Sequence, residues 1–285
     1  MRTFAFSLLT LFALAACHTT PPAPPPAAQI QAAPDTGTLR RTYFFADAQQ
    51  DMPYRLYVPT MWDGASPLPL ILFLHGGGSD ENRYIDANDR QLERLAEQHG
   101  FLLVSPLGYS RVGAYGAAMT LSGSFGDIEG QRQVRAQVNA NPERLRELAL
   151  SERDTLNVLE RVVAEYGVDP REVFLMGHSM GSGGAWYLGN KYPERWAAIA
   201  PMSGPFAEAA LDPFANLQGI PIYYSEGIQT PSLAASRLMA EAARSAGLQF
   251  SYQEFDGTHG GMIPMAAPGV FDFFTAELAR VRSER

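Results

Sequence analysis

The segment Gly177–Gly181, which reads Gly-His-Ser-Met-Gly, carries the clearest chemical signal in the chain. It follows the apolar run 173–176 and leads into a helix-like segment that starts at Gly183. In a strand–turn–helix context, the serine of such a sequence lies on a sharp turn and its Oγ projects from the edge of a sheet. Small residues flank it because the turn is strained and its neighbours approach closely. We therefore expect Ser179 to be a nucleophile; the alternative is a turn whose serine only caps the next helix.

A serine nucleophile needs a base within hydrogen-bond reach, and the chain contains five histidines. Four of them are set aside by position: His18 in the N-terminal tail, His75 at the head of a glycine run, His99 at the wrong edge of the sheet, and His178 inside the turn itself. His259 remains, in the loop Asp256–Gly261 between the last predicted strand and the final helix. We expect His259 to be the general base, the alternative being a surface-loop histidine without a catalytic role.

An acid that orients His259 should lie between Ser179 and His259 in the chain, because hydrolases with this turn use the order nucleophile, acid, histidine. Seven carboxylates lie in that interval, and four of them fall near the edge of the sheet that carries the turn. Glu226 is favoured because it follows the predicted strand 220–224. The alternatives are Glu208, Asp212 and Asp256, or no acid at all.

A run of three glycines predicts the site that stabilises a tetrahedral oxyanion. The sequence His75-Gly76-Gly77-Gly78 follows the apolar run 70–74, so it lies at the same edge as the turn. Glycines there let backbone N–H groups approach a developing negative charge without a Cβ in the way. We expect donors from Gly77 and Gly78, together with the N–H of Met180 after the nucleophile. The alternative is a plain glycine turn.

Strand-like and helix-like segments alternate from about residue 40. The predicted strands include the pair 41–46 and 54–58, followed by 70–74, 101–104, 173–176, 196–200, 220–224 and 249–255. Helices are predicted over 90–99, from a capping box at Ser151, over 232–246, and from about Val270. Apolar strands in this alternation predict an α/β fold, with a mostly parallel sheet covered by helices on both faces.

Residues 108–150 interrupt this alternation as a long insertion. A connection of this length that follows the carboxyl end of a strand is usually an active-site wall or lid, and a solvated insertion without substrate contact is the alternative. Tyr109, Tyr115, Phe125 and Phe206 are candidates to line an aromatic pocket, or to belong to the core.

Composition and charge limit the classes of function. The chain has 285 residues, of which 46% are hydrophobic and 18% charged, which is typical of one large globular domain. The net charge of −8 predicts no basic surface, so no nucleic-acid partner is expected. The histidines are dispersed without the spacing of metal ligands, so neither a metal nor another cofactor is predicted.

The first residues read as a targeting signal. Arg2 precedes the uncharged, mostly apolar run 3–16, which is too short to span a bilayer. The run ends in Leu-Ala-Ala before Cys17, a sequence that resembles the bacterial lipoprotein signal, in which cleavage precedes a lipidated cysteine. We therefore predict a signal peptide over 1–16, a proline-rich tether over 17–38, and a catalytic domain over 39–285. This implies a lipid anchor in the cell envelope; an ordinary secretory signal with an incidental cysteine is the alternative.

Several segments together resemble the α/β-hydrolases of the polyhydroxybutyrate depolymerase or feruloyl esterase type and the related prolyl-oligopeptidase-like esterases. They are Tyr54–Pro59, His75–Gly78, Ser105–Tyr109, Asp169–Trp186, Trp196–Gly204 and Gly257–Gly261. The resemblance spans about residues 40–280 and implies an α/β-hydrolase fold and a carboxylic-ester hydrolase without a cofactor. It also implies Ser179 as the nucleophile and His259 as the base.

The chain departs from this family at one point. The family has a Gly-x-x-Asp segment that ends in a proline after the penultimate strand, whereas residues 225–231 read Ser-Glu-Gly-Ile-Gln-Thr-Pro. Either Glu226 substitutes for the aspartate, the acid has migrated, or catalysis is impaired. The main hypothesis is therefore a serine esterase, with a serine peptidase or a non-catalytic binding domain as alternatives.

Overall fold

A computed structural model describes residues 35–118, 125–205 and 214–285. Its strands are β1 (Gly37–Phe45), β2 (Gln50–Val58), β3 (Leu70–Leu74), β4 (Leu102–Pro106), β5 (Val173–His178), β6 (Ala198–Met202), β7 (Ile222–Gln229) and β8 (Phe250–Thr258). They form one sheet in the order β1-β2-β4-β3-β5-β6-β7-β8. The pairs from β4 through β8 are parallel, and β2 is antiparallel to both β1 and β4. The predicted, mostly parallel sheet is confirmed.

The helices of the described residues cover both faces of the sheet. They are α1 (Arg83–His99), α2 (Ile128–Asn139), α3 (Pro142–Tyr166), α4 (Met180–Lys191), α5 (Leu233–Ser245) and α6 (Ile263–Ser283). Apolar side chains of α1 and α6 form one core with the sheet, while those of α2 to α5 form a second core on the opposite face. Strands such as β3 and β5 are buried along their whole length between these cores, which explains why they are continuously apolar.

Two predicted helix starts are wrong. α3 begins at Pro142, where the side chain of Asn141 accepts hydrogen bonds from two backbone N–H groups of the first turn. Ser151 lies inside this helix, and its Oγ accepts the N–H of Tyr115 instead of capping (3.0 Å). α6 begins at Ile263 rather than near Val270. Proline in a first turn favours a helix start, and Pro264 supplies that signal.

Some predictions lie outside the described residues. These are the signal peptide, Cys17, the tether up to residue 34, the alternative acids Glu208 and Asp212, and Phe206. β1 begins at Gly37, two residues before the predicted start of the domain. Within the described ranges, no helix is both long enough and apolar enough to cross a bilayer.

Candidate active site

Ser179 is the single residue that connects β5 to α4, at the carboxyl edge of the sheet. Its backbone has φ 60° and ψ −115°, a conformation that a residue with a Cβ rarely adopts. The Ser179 N–H donates to the carbonyl of Met202 at the end of β6 (3.0 Å), which helps to hold the turn. The Ser179 side chain makes no capping hydrogen bond to α4. The residue is partly exposed to solvent.

The two glycines of the turn are required by close backbone approaches. A Cβ on Gly177 would lie 2.2 Å from the carbonyl oxygen of Gly181. A Cβ on Gly181 would lie 2.0 Å from the carbonyl oxygen of Leu74, at the end of β3. Both distances are far below van der Waals contact, and both obstacles are backbone atoms. The turn therefore needs glycine at both positions.

His259 follows β8 and reaches a carboxylate through a hydroxyl group. Its Nδ1 lies 2.8 Å from Oγ of Ser203, and Oγ of Ser203 donates to Oε1 of Glu226 at 2.7 Å. Because the single hydroxyl proton of Ser203 goes to Glu226, His259 Nδ1 must carry the hydrogen that Ser203 accepts. No sequence motif predicts a residue between His259 and Glu226. The signal for Ser203 is its position directly after a strand of this edge.

Glu226 is fully buried within β7 and is surrounded by hydrogen-bond donors. Besides Ser203, Oε1 lies within reach of the Gly227 N–H and the Thr230 hydroxyl, and Oε2 within reach of three further hydroxyl groups. These three belong to Tyr224, Ser232 and Ser236, at 3.1, 3.2 and 2.6 Å. Such donors replace the water that a carboxylate loses on burial. The pocket thus holds a carboxylate without a partner cation among these contacts.

The Ser203 contact fixes the protonation geometry of His259. With the hydrogen on Nδ1, the neutral imidazole leaves Nε2 as the acceptor for a proton from a nucleophile. Burial lowers the pKa of His259, and the charge of Glu226 acts in the opposite direction. The ring is therefore neutral near neutral pH.

Asp256, the other described candidate acid, points elsewhere. It is exposed, and its Oδ1 accepts a hydrogen bond from Gln229 at 2.8 Å. The Nδ1 of His259 is already engaged by Ser203. Of the two described candidates, only Glu226 is connected to the histidine.

The glycine loop after β3 lies against the serine turn. A Cβ on Gly76 would come within 3.4 Å of Cβ of Ser179, and one on Gly77 within 3.7 Å of Cβ of Met180. Met180 is the first residue of α4, where a backbone N–H has no partner within the helix. Gly77 and Met180 are therefore neighbours beside Ser179.

Gly78 does not fit its predicted role as an oxyanion donor. Its N–H donates to the carbonyl of Arg111 at 2.8 Å and is not free for a substrate oxygen. Arg111 belongs to the insertion, which contacts the glycine loop at this point. Tyr115 of the same segment is fully buried and donates its hydroxyl to the carbonyl of His75 (3.0 Å). The described start of the insertion thus supports the glycine loop, and Tyr115 belongs to the core rather than to a pocket.

The remaining described histidines are not placed as bases. The ring nitrogens of His75 face the carbonyl oxygens of Gly76 and Leu107, each at 2.9 Å. His99 contacts Thr275 at the other edge of the sheet. His178 is buried, and its Nε2 lies 2.7 Å from the carbonyl oxygen of His259.

Residues 46–260 match the model of a family described as putative esterase. The chain belongs to the putative esterase family. This agrees with the esterase part of the resemblance seen in the sequence, while the polyhydroxybutyrate depolymerase subtype stays a prediction. The match spans the glycine loop, the serine turn and the histidine, so all the residues of the candidate site lie inside the family region.

Solved structures show that this member of the putative esterase family has the α/β-hydrolase fold. S-formylglutathione hydrolase from Staphylococcus aureus is similar with a TM-score of 0.61 and 14% identity, over 86% of this chain and 100% of that one. A ferulic acid esterase from Anaeromyces mucronatus is similar with a TM-score of 0.60 and 17% identity, over 87% of this chain and 93% of that one.

A curated relative is similar in sequence over a shorter stretch. The bifunctional acetylxylan esterase/xylanase XynS20E from Neocallimastix patriciarum is 29% identical over 137 residues. The match covers 48% of this chain and 16% of the relative, so the chain spans less than a fifth of that protein's length.

Proposed function

We propose that this protein is a serine esterase that cleaves carboxylic esters through an acyl-enzyme on Ser179. The observation that carries this proposal is the hydrogen-bonded series His259–Ser203–Glu226 at the sheet edge where Ser179 adopts its strained turn. The two parts are joined directly, because the Ser179 N–H bonds to Met202, the residue before Ser203. Membership of the putative esterase family supports the same reaction.

Acylation begins when Oγ of Ser179 attacks the ester carbonyl carbon and His259 Nε2 takes the hydroxyl proton. The carbonyl oxygen becomes an oxyanion, which the N–H groups of Gly77 and Met180 stabilise. Met180 is the first residue of α4, and the N-terminus of this helix adds its partial positive charge. When the carbon–oxygen ester bond breaks, the alkoxide leaves with the proton from His259.

Deacylation uses the same groups, with water in place of Ser179 as the nucleophile. His259 takes a proton from water, the hydroxide attacks the acyl carbon, and Ser179 recovers its proton as the acid departs. In both steps His259 is transiently an imidazolium. Its new positive charge is stabilised by the Nδ1–H contact to Ser203 and by the buried carboxylate of Glu226 beyond it. Glu226 thus acts as the orienting acid through a hydroxyl rather than by direct contact.

The similar proteins suggest which esters are substrates, and the N-terminal sequence suggests where the protein is located in the cell. We propose acetyl or feruloyl esters of carbohydrates as substrates, following the acetylxylan esterase and the ferulic acid esterase to which the chain is similar. The location that we propose is the cell envelope, with Cys17 lipidated and residues 18–38 as a tether. Both points rest on similarity and on sequence pattern.

A substrate panel tests the proposed reaction. The purified protein is offered p-nitrophenyl acetate, methyl ferulate, acetylated xylan and an aminoacyl p-nitroanilide, and labelling by a fluorophosphonate probe is measured in parallel. We expect ester turnover, no amide turnover, and labelling. Turnover of the anilide alone would favour a peptidase, and the absence of both turnover and labelling would favour a non-catalytic binding domain.

The hydroxyl relay predicts a specific effect of Ser203. Replacing Ser203 with alanine should lower kcat/KM for p-nitrophenyl acetate by roughly 10²-fold, because Nδ1 of His259 loses the acceptor that orients it. Ser236→Ala is the matched control: it also removes a hydroxyl within hydrogen-bond distance of Glu226, but on Oε2 and away from His259. Equal losses in the two variants would contradict the relay, since Ser203 would then act only on the carboxylate.

The charge of Glu226 predicts a change in pH dependence. Because only neutral His259 can act as a base, kcat/KM should rise with pH through the pKa of His259 and level off above it. Burial holds this pKa below its usual value and the charge of Glu226 raises it. Glu226→Gln removes the negative charge that raises the pKa of His259, so the midpoint of the pH profile should move to lower pH. The plateau value of kcat/KM should also be lower. An unmoved midpoint in the pH profile would show that Glu226 does not act on His259.

A further inference from the structure

The loop that carries His259 is a turn closed by hydrogen bonds from the N–H groups of Gly261 and Met262 to Thr258 (3.2 and 3.0 Å). It contains Gly260 and Gly261, and a Cβ on Gly260 would meet nothing within 4 Å. The ring of His259 is held by Ser203, but a ring can be oriented only if its backbone is also fixed. A second histidine adds a contact from outside the loop, because Nε2 of His178 lies 2.7 Å from the carbonyl oxygen of His259. The two imidazole rings are in contact, with centroids 4.6 Å apart.

The tautomer of His178 follows from its two partners. A carbonyl oxygen can only accept, so Nε2 must carry the hydrogen that goes to His259. Nδ1 is then an acceptor, and it faces the hydroxyl of Tyr84 at 2.9 Å, which must donate. Burial, together with the repulsion from His259 when that ring is protonated, lowers the pKa of His178 to about 3. A neutral ring of this tautomer satisfies both contacts.

Tyr84 extends the connection to the glycine loop. Its ring packs against Phe73 and His178, with centroids 5.5 Å away in each case. Its hydroxyl lies so close to the backbone of Gly76 that a Cβ there would come within 2.3 Å of the oxygen. Burial raises the pKa of Tyr84, with the Gly76 backbone acting in the opposite direction, so the phenol keeps the proton that it donates to His178.

We propose that Tyr84 and His178 are positioning residues that tie the oxyanion loop, the serine turn and the base loop into one rigid unit. This inference rests on the proposed esterase function. Gly76 precedes the donor Gly77, and His178 directly precedes the nucleophile, so one phenol and one imidazole join all three parts of the site. A base and an oxyanion donor displaced relative to each other lose rate in the chemical step, with little effect on substrate affinity.

The central test replaces Tyr84 with phenylalanine, which keeps the ring packing and removes the hydroxyl. We expect kcat for p-nitrophenyl acetate to fall about tenfold while KM stays the same. Tyr57→Phe is the matched control, since Tyr57 lies in the same core and donates its hydroxyl to Glu97, in α1. If both variants lost a similar amount of thermal stability and Tyr84→Phe kept the wild-type kcat, the proposal would be overturned.

Two further measurements separate positioning from a structural role. In 15N-histidine NMR spectra, we expect wild-type His178 to show only the Nε2–H tautomer and His178 in Tyr84→Phe to show a mixture of tautomers. An Nδ1–H tautomer in the wild type would contradict the hydrogen bonds from Tyr84 to His178 and from His178 to His259, which we call the Tyr84–His178 bridge. Among His178 variants, glutamine can still donate an amide N–H to the His259 carbonyl, so His178→Gln should retain more kcat than His178→Leu. Equal losses in these variants would count against that contact.

These measurements also distinguish a failure of the Tyr84–His178 bridge from a failure of the proposed esterase function. Wild-type hydrolysis of p-nitrophenyl acetate is measured first in the same series. A wild-type protein without turnover would contradict the proposed function, whereas the tautomer of His178 and its response to Tyr84→Phe would still confirm or contradict the bridge.

Discussion

Replacing Ser179 or His259 with alanine should each lower kcat/KM for p-nitrophenyl acetate by a factor on the order of 10⁴ to 10⁶. Without Ser179 there is no atom to form the acyl-enzyme. Without His259 the serine hydroxyl stays protonated and the leaving alkoxide has no proton donor. Because both residues act in one step, the double variant should be no slower than the slower single variant. Steady-state rates of the three variants measure this.

A matched histidine variant controls for general effects on the protein. His99→Ala removes the imidazole of a partly buried residue, and His99 lies at the opposite edge of the sheet, beside Thr275. We expect it to keep wild-type kcat/KM. Losses in Ser179→Ala and His259→Ala that multiply in the double variant would contradict the account, because the two groups would then act independently.

Replacing Gly181 with alanine should destabilise the fold by about 3 kcal/mol and lower the melting temperature by roughly 10 °C. The new Cβ would lie 2.0 Å from the carbonyl oxygen of Leu74 and 2.9 Å from that of His75. Neither obstacle is a flexible side chain, so relief requires the end of β3 or the start of α4 to shift. Either shift also moves the oxyanion loop relative to Ser179, so activity should fall together with stability. Differential scanning calorimetry measures the first effect.

Gly260→Ala is the control for this prediction. Gly260 has no positive φ, and a Cβ there would find open space. A single methyl group added at this position should change the melting temperature by no more than about 2 °C. If Gly181→Ala were as stable as Gly260→Ala, the close approach of β3 to the serine turn would be wrong.

The parts of the site that could be predicted from sequence are those with a local signal. The turn at Ser179 is marked by glycines that the backbone geometry requires, and His259 is predicted from chain order and elimination. Glu226 was favoured because strand ends meet at one edge of a parallel sheet. The structure confirms the sheet and places Ser179, His259 and Glu226 at that edge; their catalytic roles stay predictions.

The parts that could not be predicted depend on contacts between distant segments. Ser203 has no motif of its own, and its role emerges only where β6 lies between β5 and β7. The wrong assignment of Gly78 has the same cause, because its N–H is taken by Arg111 from the insertion. The capping-box pattern at Ser151 wrongly predicts a helix start, because the same residue types also occur inside helices. No local pattern indicates that Tyr115 will contact that serine.

The most direct measurement of the central claim is the covalent state of Ser179 during turnover. The full-length protein is mixed with p-nitrophenyl acetate, quenched in acid during the first turnovers, digested and analysed by mass spectrometry. We expect one acetyl group on the peptide that contains Ser179. An acetyl group on another residue, or turnover without any acyl-enzyme, would contradict the account.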